Sequence, residues 1–256
     1  MTHLSVNVNK VATLRNTRHL GIPSVVKAAL ICLEAGAAGI TIHPRPDERH
    51  IRASDVGELA AVVARYGGGT GKREFNIEGN PFEGQYMRHV AAVKPDQCTL
   101  VPDEADSFTS NQGWKLEANK ERLRPIISEL KKHSRRVSLF MDATSREWSL
   151  AKELGADRVE LYTEPYAAGF AAGDQRAVDV FVTAATAARA AGLGVNAGHD
   201  LNQENLGPLL AAIPWIEEVS IGHALIADAL ELGMAETVKR YKGICDGAIR
   251  MSAGRS

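Results

Sequence analysis

The chain has 256 residues, 45% of them hydrophobic and 24% charged, with a formal net charge of −1. That is enough chain for a large core, and too even a charge balance for the basic face that nucleic acid requires. No apolar run approaches the roughly 18 residues of a spanning helix. Residues 1–6 lack the basic and apolar stretches of a signal peptide, so no leader is expected. Cys32, Cys98 and Cys245 are odd in number and widely spaced, with no CxxC pair and no zinc spacing. Free buried thiols and a cytoplasmic location are the expectation.

In chain order, strands are predicted at 4–8, 39–43, 73–78, 97–101, 136–142, 158–162, 194–197 and 218–221. Most read as near-continuous apolar and β-branched runs, as strands buried on both faces do. Helices are predicted between them at 25–37, 54–66, 82–93, 118–133, 146–154, 175–191 and 202–212, with a last one at 224–241. Gly155 and Gly192 stand where C-terminal caps belong. Thr144 with Glu147 reads as a capping box opening the helix at 146. Eight strands alternating with eight helices predict an α/β fold, a (β/α)8 TIM barrel with extra short helices in its βα loops. One domain over 1–256 is expected, with a core of about 4–242 and a C-terminal tail of about 243–256. The glycine-rich stretch 67–72 resembles a phosphate loop, but Tyr66 and Arg73 stand where GxxxxGK[ST] needs Gly and Ser or Thr. A surface connection is expected there.

The strand ends carry the chemistry. His43, Glu78, Asp142, His199 and His223 each follow a strand-like run. In a parallel barrel those ends converge on one mouth. The long connections 9–24, 102–119 and 163–174 are expected on the same face, the first rich in donors such as Lys10, Arg15, Asn16 and Arg18. In 43–50, two prolines stiffen a turn bearing Arg45, Arg49 and His50, which suits a phosphate. The alternative is a solvated loop in which Arg49 pairs with Asp47 or Glu48. Gly198-His199 and Gly222-His223 form a second constellation, and the latter opens a helix whose N–H groups can cradle an anion. The five strand-end residues are a plausible ligand set, yet no HxH on the first strand and no HExxH occurs, so no metal is expected.

Together these residues resemble the pyridoxine 5'-phosphate synthase family. The resemblance runs from about Leu4 to Tyr241. It rests on 5–16 (SVNVNKVATLRN), Ile42-His43-Pro44-Arg45 with Arg49-His50-Ile51, and Phe75-Asn76-Ile77-Glu78. It continues through Thr99-Leu100-Val101-Pro102, Val159-Glu160-Leu161-Tyr162-Thr163, 195–199 (VNAGH) and Ile221-Gly222-His223-Ala224. It implies condensation of 3-amino-2-oxopropyl phosphate with 1-deoxy-D-xylulose 5-phosphate to pyridoxine 5'-phosphate, phosphate and water, with no metal or organic cofactor. It further implies proton acceptance by His43 and Glu78, proton donation by His199, and charge stabilisation by Glu160. Asn7, His199, Gly222 and His223 would face the amino-ketone phosphate. Asn9, Lys10, Arg18, His50, Asp55 and Thr109 would face the pentulose phosphate. A homo-oligomer, an octamer in the family, is implied, with small phosphorylated substrates and neither nucleic acid nor membrane as partners. Many members carry Asp-His where this chain has Asn9-Lys10, and residues 66–72 look like an insertion. Another phosphosugar barrel enzyme and a non-catalytic vitamer-binding protein stay open as alternatives.

Overall fold

The computed structural model describes residues 1–67, 72–103 and 110–253, with side chains through 247. Residues 68–71 of the glycine-rich connection, and Thr109, lie outside the described residues. Strands β1 (His3–Asn7), β2 (Gly39–Ile42), β3 (Glu74–Gly79) and β4 (Gln97–Leu100) come first. Then follow β5 (Arg136–Met141), β6 (Arg158–Tyr162), β7 (Gly194–Gly198) and β8 (Ile216–Ile221). All neighbours pair in parallel, and β1 pairs with both β2 and β8, which closes the barrel. The α/β barrel read from the sequence is therefore the observed fold.

Helices fill the crossovers: α1 (Asn9–Asn16), α2 (Val25–Glu34), α3 (Ala53–Ala64), α4 (Tyr86–Val93) and α5 (Leu116–Leu130), then α6 (Trp148–Glu153) and α7 (Glu164–Ala171). After these come α8 (Asp179–Ala190), α9 (Leu206–Ala212), α10 (His223–Leu232) and α11 (Met234–Ala253). Helices α1 and α7 are the short extra ones, set in loops after β1 and β6. The helix expected at 224–241 is two helices, because Gly233 at φ 79° breaks it. The second runs on to Ala253, into the stretch expected as a tail, and buries Tyr241 and Cys245.

The strands are not the continuous apolar runs that the sequence suggested. They alternate. Val6, Ile40, Ile42, Ile77, Leu139, Val159, Leu161 and Val219 are all buried in the hydrophobic core under the helices. The residues between them turn inward and are polar, Phe140 on β5 excepted. Ser220 Oγ donates to Glu78 Oε1 at 3.3 Å, Asn196 Nδ2 to Gln97 Oε1 at 3.2 Å, and Gln97 Nε2 to Glu218 Oε1 at 3.0 Å. Each bond joins strands that are not neighbours, so it must cross the barrel interior. Most barrels fill that space with branched apolar side chains. Here it is hydrogen-bonded, as buried polar groups must be. At the N-terminal end Arg136 bonds Gln97 and Glu74, and Arg158 bonds Asn196 and Glu217.

Two helix C-termini close as the sequence suggested, and one expected N-terminal cap does not form. Gly155 (φ 99°) and Gly192 (φ 79°) adopt the left-handed conformation after α6 and α8. The next residues, Ala156 and Leu193, donate back to the carbonyls of Ala151 and Ala188. That is the six-to-one closure of a Schellman cap, which glycine allows. The capping box at Thr144 and Glu147 does not form. The Glu147 carboxylate instead accepts from the Leu116 N–H at 2.8 Å and the Glu117 N–H at 2.9 Å. It caps the neighbouring helix α5, whose own N-cap residue, Lys115, supplies no side-chain acceptor. Replacing Glu147 with Ala should therefore destabilise the protein by about 1–2 kcal/mol. A urea titration checks it: an unchanged midpoint would show that water serves α5 as well.

Candidate active site

At the C-terminal end of β2 the chain leaves the sheet because Pro44 has no N–H to continue the ladder. The His43 N–H there donates to Asn9 Oδ1 at 3.0 Å. The Asn9 N–H in turn donates to Asn7 Oδ1 at 3.0 Å. Asn9 thus ties the end of β1 to the end of β2. The loop beyond is clamped from α1. Arg15 and Asn16 donate to the His50 carbonyl at 3.0 and 2.8 Å, and Arg15 makes a buried ion pair with Asp55 at 2.5 Å. The second Asp55 oxygen accepts the Arg52 N–H. Both Asp55 oxygens therefore engage the protein itself.

Arg45 is buried against Asp103, which also accepts from Ser110 Oγ at 2.6 Å. Arg49 pairs with Asp47 at 2.7 Å, the solvated-loop arrangement considered for that residue. Lys10, in the first turn of α1, and Arg18, just past its end, are exposed. Asp142 does not join the other strand-end groups through hydrogen bonds. It accepts from the Gly113 N–H at 3.0 Å and from Lys115, anchoring the loop after β4.

Glu78 is the centre of the mouth. It is buried, with Ser220 at 3.3 Å, Asn7 Nδ2 at 3.4 Å and His43 Nδ1 at 4.0 Å. Burial pushes its carboxyl up to about 8, only partly offset by the Ser220 hydroxyl. Glu160, on β6, is 1% exposed, and its Oε2 has no hydrogen-bond partner. Burial, and then the nearby Glu78 and Glu218, hold its carboxyl well above the usual range. The Glu160 side chain is also what requires Gly198: a Cβ there would stand 2.6 Å from Glu160 Oε1. Gly222 is similarly confined, with Asn7 side-chain atoms 3.2 and 3.3 Å from where a Cβ would be.

The imidazoles move the other way. Burial, then the Arg45 charge, lowers His43 well below its ordinary value. Burial and Arg45 bring His50 down to about 4. Its Nδ1 accepts the Ile51 N–H at 2.9 Å, which fixes that nitrogen as unprotonated. Burial brings His199 to about 4, against the opposing pull of Asp200. The His199 ring lies beside Phe140 and Tyr162, with centroids at 4.9 and 5.4 Å. His223 is exposed at the first position of α10, after Gly222. The His223, Ala224 and Leu225 N–H groups open that helix and lack intrahelical acceptors, the usual basis of an anion site.

Contacts thus bring together Asn7, Asn9, His43 and Glu78, and Gly198 with Glu160. Sequence reasoning missed Ser220 and Asp103, and read Arg15 as a loop donor rather than as the partner of Asp55. Ser220 was legible in principle, since it lies two residues before Gly222 and so on the same strand face. Among the described residues no three His, Cys, Asp or Glu are grouped as metal ligands would be. Nor is any helix among them long and apolar enough to cross a membrane.

Residues 4–247 match the family described as pyridoxal phosphate biosynthesis protein PdxJ. The chain is 54% identical to the pyridoxine 5'-phosphate synthase of Albidiferax ferrireducens, covering 94% of this chain and 96% of that one. It is 51% identical to the synthase of the same name from Cytophaga hutchinsonii, over 94% and 98%. Solved structures share the fold alone. Tryptophan synthase from M. tuberculosis superposes with a TM-score of 0.61 at 13% identity, over 95% of this chain and 93% of that one. Orotidine 5'-monophosphate decarboxylase from Methanocaldococcus jannaschii gives 0.60 at 11%, over 96% and 99%. With a family match from 4 to 247 and relatives above half identity along nearly their whole length, the chain belongs to the pyridoxal phosphate biosynthesis protein PdxJ family.

Proposed function

We propose that this chain is a pyridoxine 5'-phosphate synthase acting as one domain over 1–256. It would condense 3-amino-2-oxopropyl phosphate with 1-deoxy-D-xylulose 5-phosphate and release pyridoxine 5'-phosphate, phosphate and water. The similarity to named synthases over nearly the whole chain supports the reaction. One observation carries the chemistry: the buried Glu78 carboxyl, raised to about 8, stands 4.0 Å from the depressed imidazole of His43. A multistep condensation with imine formation and eliminations needs groups that pass protons both ways near neutral pH.

In this reading His43, neutral because it is buried, is ready to accept a proton at pH 7. Glu78 holds its proton loosely enough to exchange it with substrate. Glu160, kept as the acid by burial, gives up its proton when a cationic nitrogen approaches and then balances that charge. His199 is neutral in the empty site. The charge of a phosphorylated substrate raises its proton affinity and makes it a donor. The start of α10 after Gly222, with His223, Asn7 and His199, takes the amino-ketone phosphate. Lys10, Arg18, Arg45 and His50 face the pentulose phosphate. Asn9 and Asp55 serve that side by holding His43 and Arg15. Lys10 acts as a point charge toward a phosphate or carbonyl oxygen. No residue's task calls for a metal or organic cofactor. Assembly with copies of itself is part of the reading, supported by Leu20 and Ile22, which expose 71% and 64% of their surface. Three buried free cysteines support a cytoplasmic setting.

The direct test supplies both substrates with chelator and no added metal, and follows pyridoxine 5'-phosphate by absorbance and chromatography. Product formation is expected; none from folded protein contradicts the proposal. Glu78→Gln should lower kcat by about 100-fold or more with substrate affinity within a few-fold. Full turnover would remove Glu78 from the mechanism. The same variant tests the protonation state. Glu78 rises from 4.5 to about 8 on folding, so the folded state binds the proton more tightly. Its contribution to stability is full below about 4.5 and is lost as pH rises through about 8. Between about pH 5 and pH 8.5 the wild-type urea midpoint should fall further than that of Glu78→Gln. Equal falls would mean that Glu78 is ionised throughout.

A further inference from the structure

His199 and Asp200 have φ of 82° and 58°, the only consecutive non-glycine pair at positive φ among the described residues. L side chains avoid that region, and such backbone persists only where its surroundings over-determine it. Three successive carbonyls show what does so. The Gly198 carbonyl accepts the Thr163 N–H at 2.9 Å and Thr163 Oγ1 at 2.6 Å. The His199 carbonyl accepts the same Oγ1 at 2.7 Å, one hydroxyl proton shared between two acceptors. The Asp200 carbonyl accepts Asn205 Nδ2 at 3.1 Å.

Thr163 is fully buried and occupies the N-cap position of α7. A threonine there ordinarily turns its oxygen back on its own helix and accepts an N–H one turn in. Thr163 makes no such bond. Its hydroxyl reaches across to the end of β7 instead. One turn further along α7, Tyr166 OH donates to the Asn205 carbonyl at 2.7 Å, so the short helix braces both ends of the turn. Neither Thr163 nor Asn205 needs to touch substrate to do this.

We propose that Thr163 is a positioning residue for His199, its hydroxyl holding the turn 198–200 in the conformation that seats the His199 ring against Phe140 and Tyr162. Asn205 holds the far side of the same turn. The inference rests on the reading of His199 as the proton donor, and concerns its placement rather than its chemistry. The Thr163 and Asn205 hydrogen bonds, holding the turn against its strain, are then what keep the imidazole in one pose when substrate arrives.

Thr163→Val keeps the shape and the backbone N–H but deletes the hydroxyl, whereas Thr163→Ser keeps the hydroxyl. Thr163→Val should lower kcat at least about tenfold with both KM values within about threefold, because misplacing a proton donor slows chemistry rather than binding. Thr163→Ser should recover to within about twofold of wild type. A crystal structure of Thr163→Val should show residues 198–200 relaxed and the His199 ring displaced. Wild-type kcat in Thr163→Val, an equal loss in Thr163→Ser, or an unmoved turn would each overturn the proposal. Should Thr163→Val not fold, Asn205→Asp carries the test. It keeps the acceptor for the Asn202 N–H, which lies at 2.8 Å from Asn205 Oδ1, and loses the donor to Asp200. A kcat loss at unchanged KM supports the inference, and wild-type kcat overturns it. If wild-type protein itself makes no pyridoxine 5'-phosphate, the synthase reading fails, and the crystal structures alone decide the role of Thr163.

Discussion

A carboxylate taken out of water with no cation beside it keeps its proton, because desolvation outweighs what hydrogen bonds from neutral groups return. Three glutamates are enclosed in this barrel, and burial raises the carboxyl of each, offset to different degrees by what surrounds it. Glu218, toward the N-terminal end, has Arg136 at 3.5 Å, Arg158 at 3.9 Å and the Gln97 amide at 3.0 Å. Glu78 has Ser220, Asn7 and a neutral imidazole beside it, with the Arg45 charge a lesser influence than burial, and Glu160 Oε2 has no partner. The carboxyls at the mouth are therefore held as acids while His43, His50 and His199 are held as bases. One cause, burial, drives both sets in opposite directions. Titratable groups pushed apart in this way are ready for proton transfer in both senses near pH 7.

The rest of the fold makes that arrangement possible. A barrel stuffed with branched apolar side chains would leave Glu78 and Glu160 no hydrogen-bonding surroundings at all. The alternating strands instead send apolar side chains outward, where the helices bury them, and polar ones inward. The arginines gather at the N-terminal end and offset the burial of the acids there, Glu218 only in part. Outside the barrel, helices α1 and α7 are set into the loops after β1 and β6 and work on the mouth. The first clamps the loop carrying His50 through Arg15 and Asn16, and the second braces the turn carrying His199.

Much of this was legible in the residues. All eight strands fall within about two residues of where runs such as Gly39-Ile40-Thr41-Ile42 put them, because a parallel strand between two layers leaves a strong local signature. Gly155 and Gly192 announced their caps for an equally local reason. The polar interior was present as a period-two pattern, Glu74-x-Asn76-x-Glu78 and Arg158-x-Glu160-x-Tyr162 among others, but apolar neighbours hid it. What the sequence could not yield were partnerships between residues far apart in the chain. Glu147 caps a helix that begins 31 residues earlier, and Asp55 meets Arg15 across 40 residues. Asn9 meets His43 across 34. Those pairings are set by how loops fold back over the mouth, which no local pattern encodes.

The protonation of the two mouth glutamates is the central claim, and carboxyl carbon NMR on protein labelled at glutamate, assigned with Glu78→Gln and Glu160→Gln, reads it directly. The account predicts that Glu78 titrates near 8 and that Glu160 remains protonated throughout the neutral range. Both signals titrating in the ordinary glutamate range, below about 5, would contradict it.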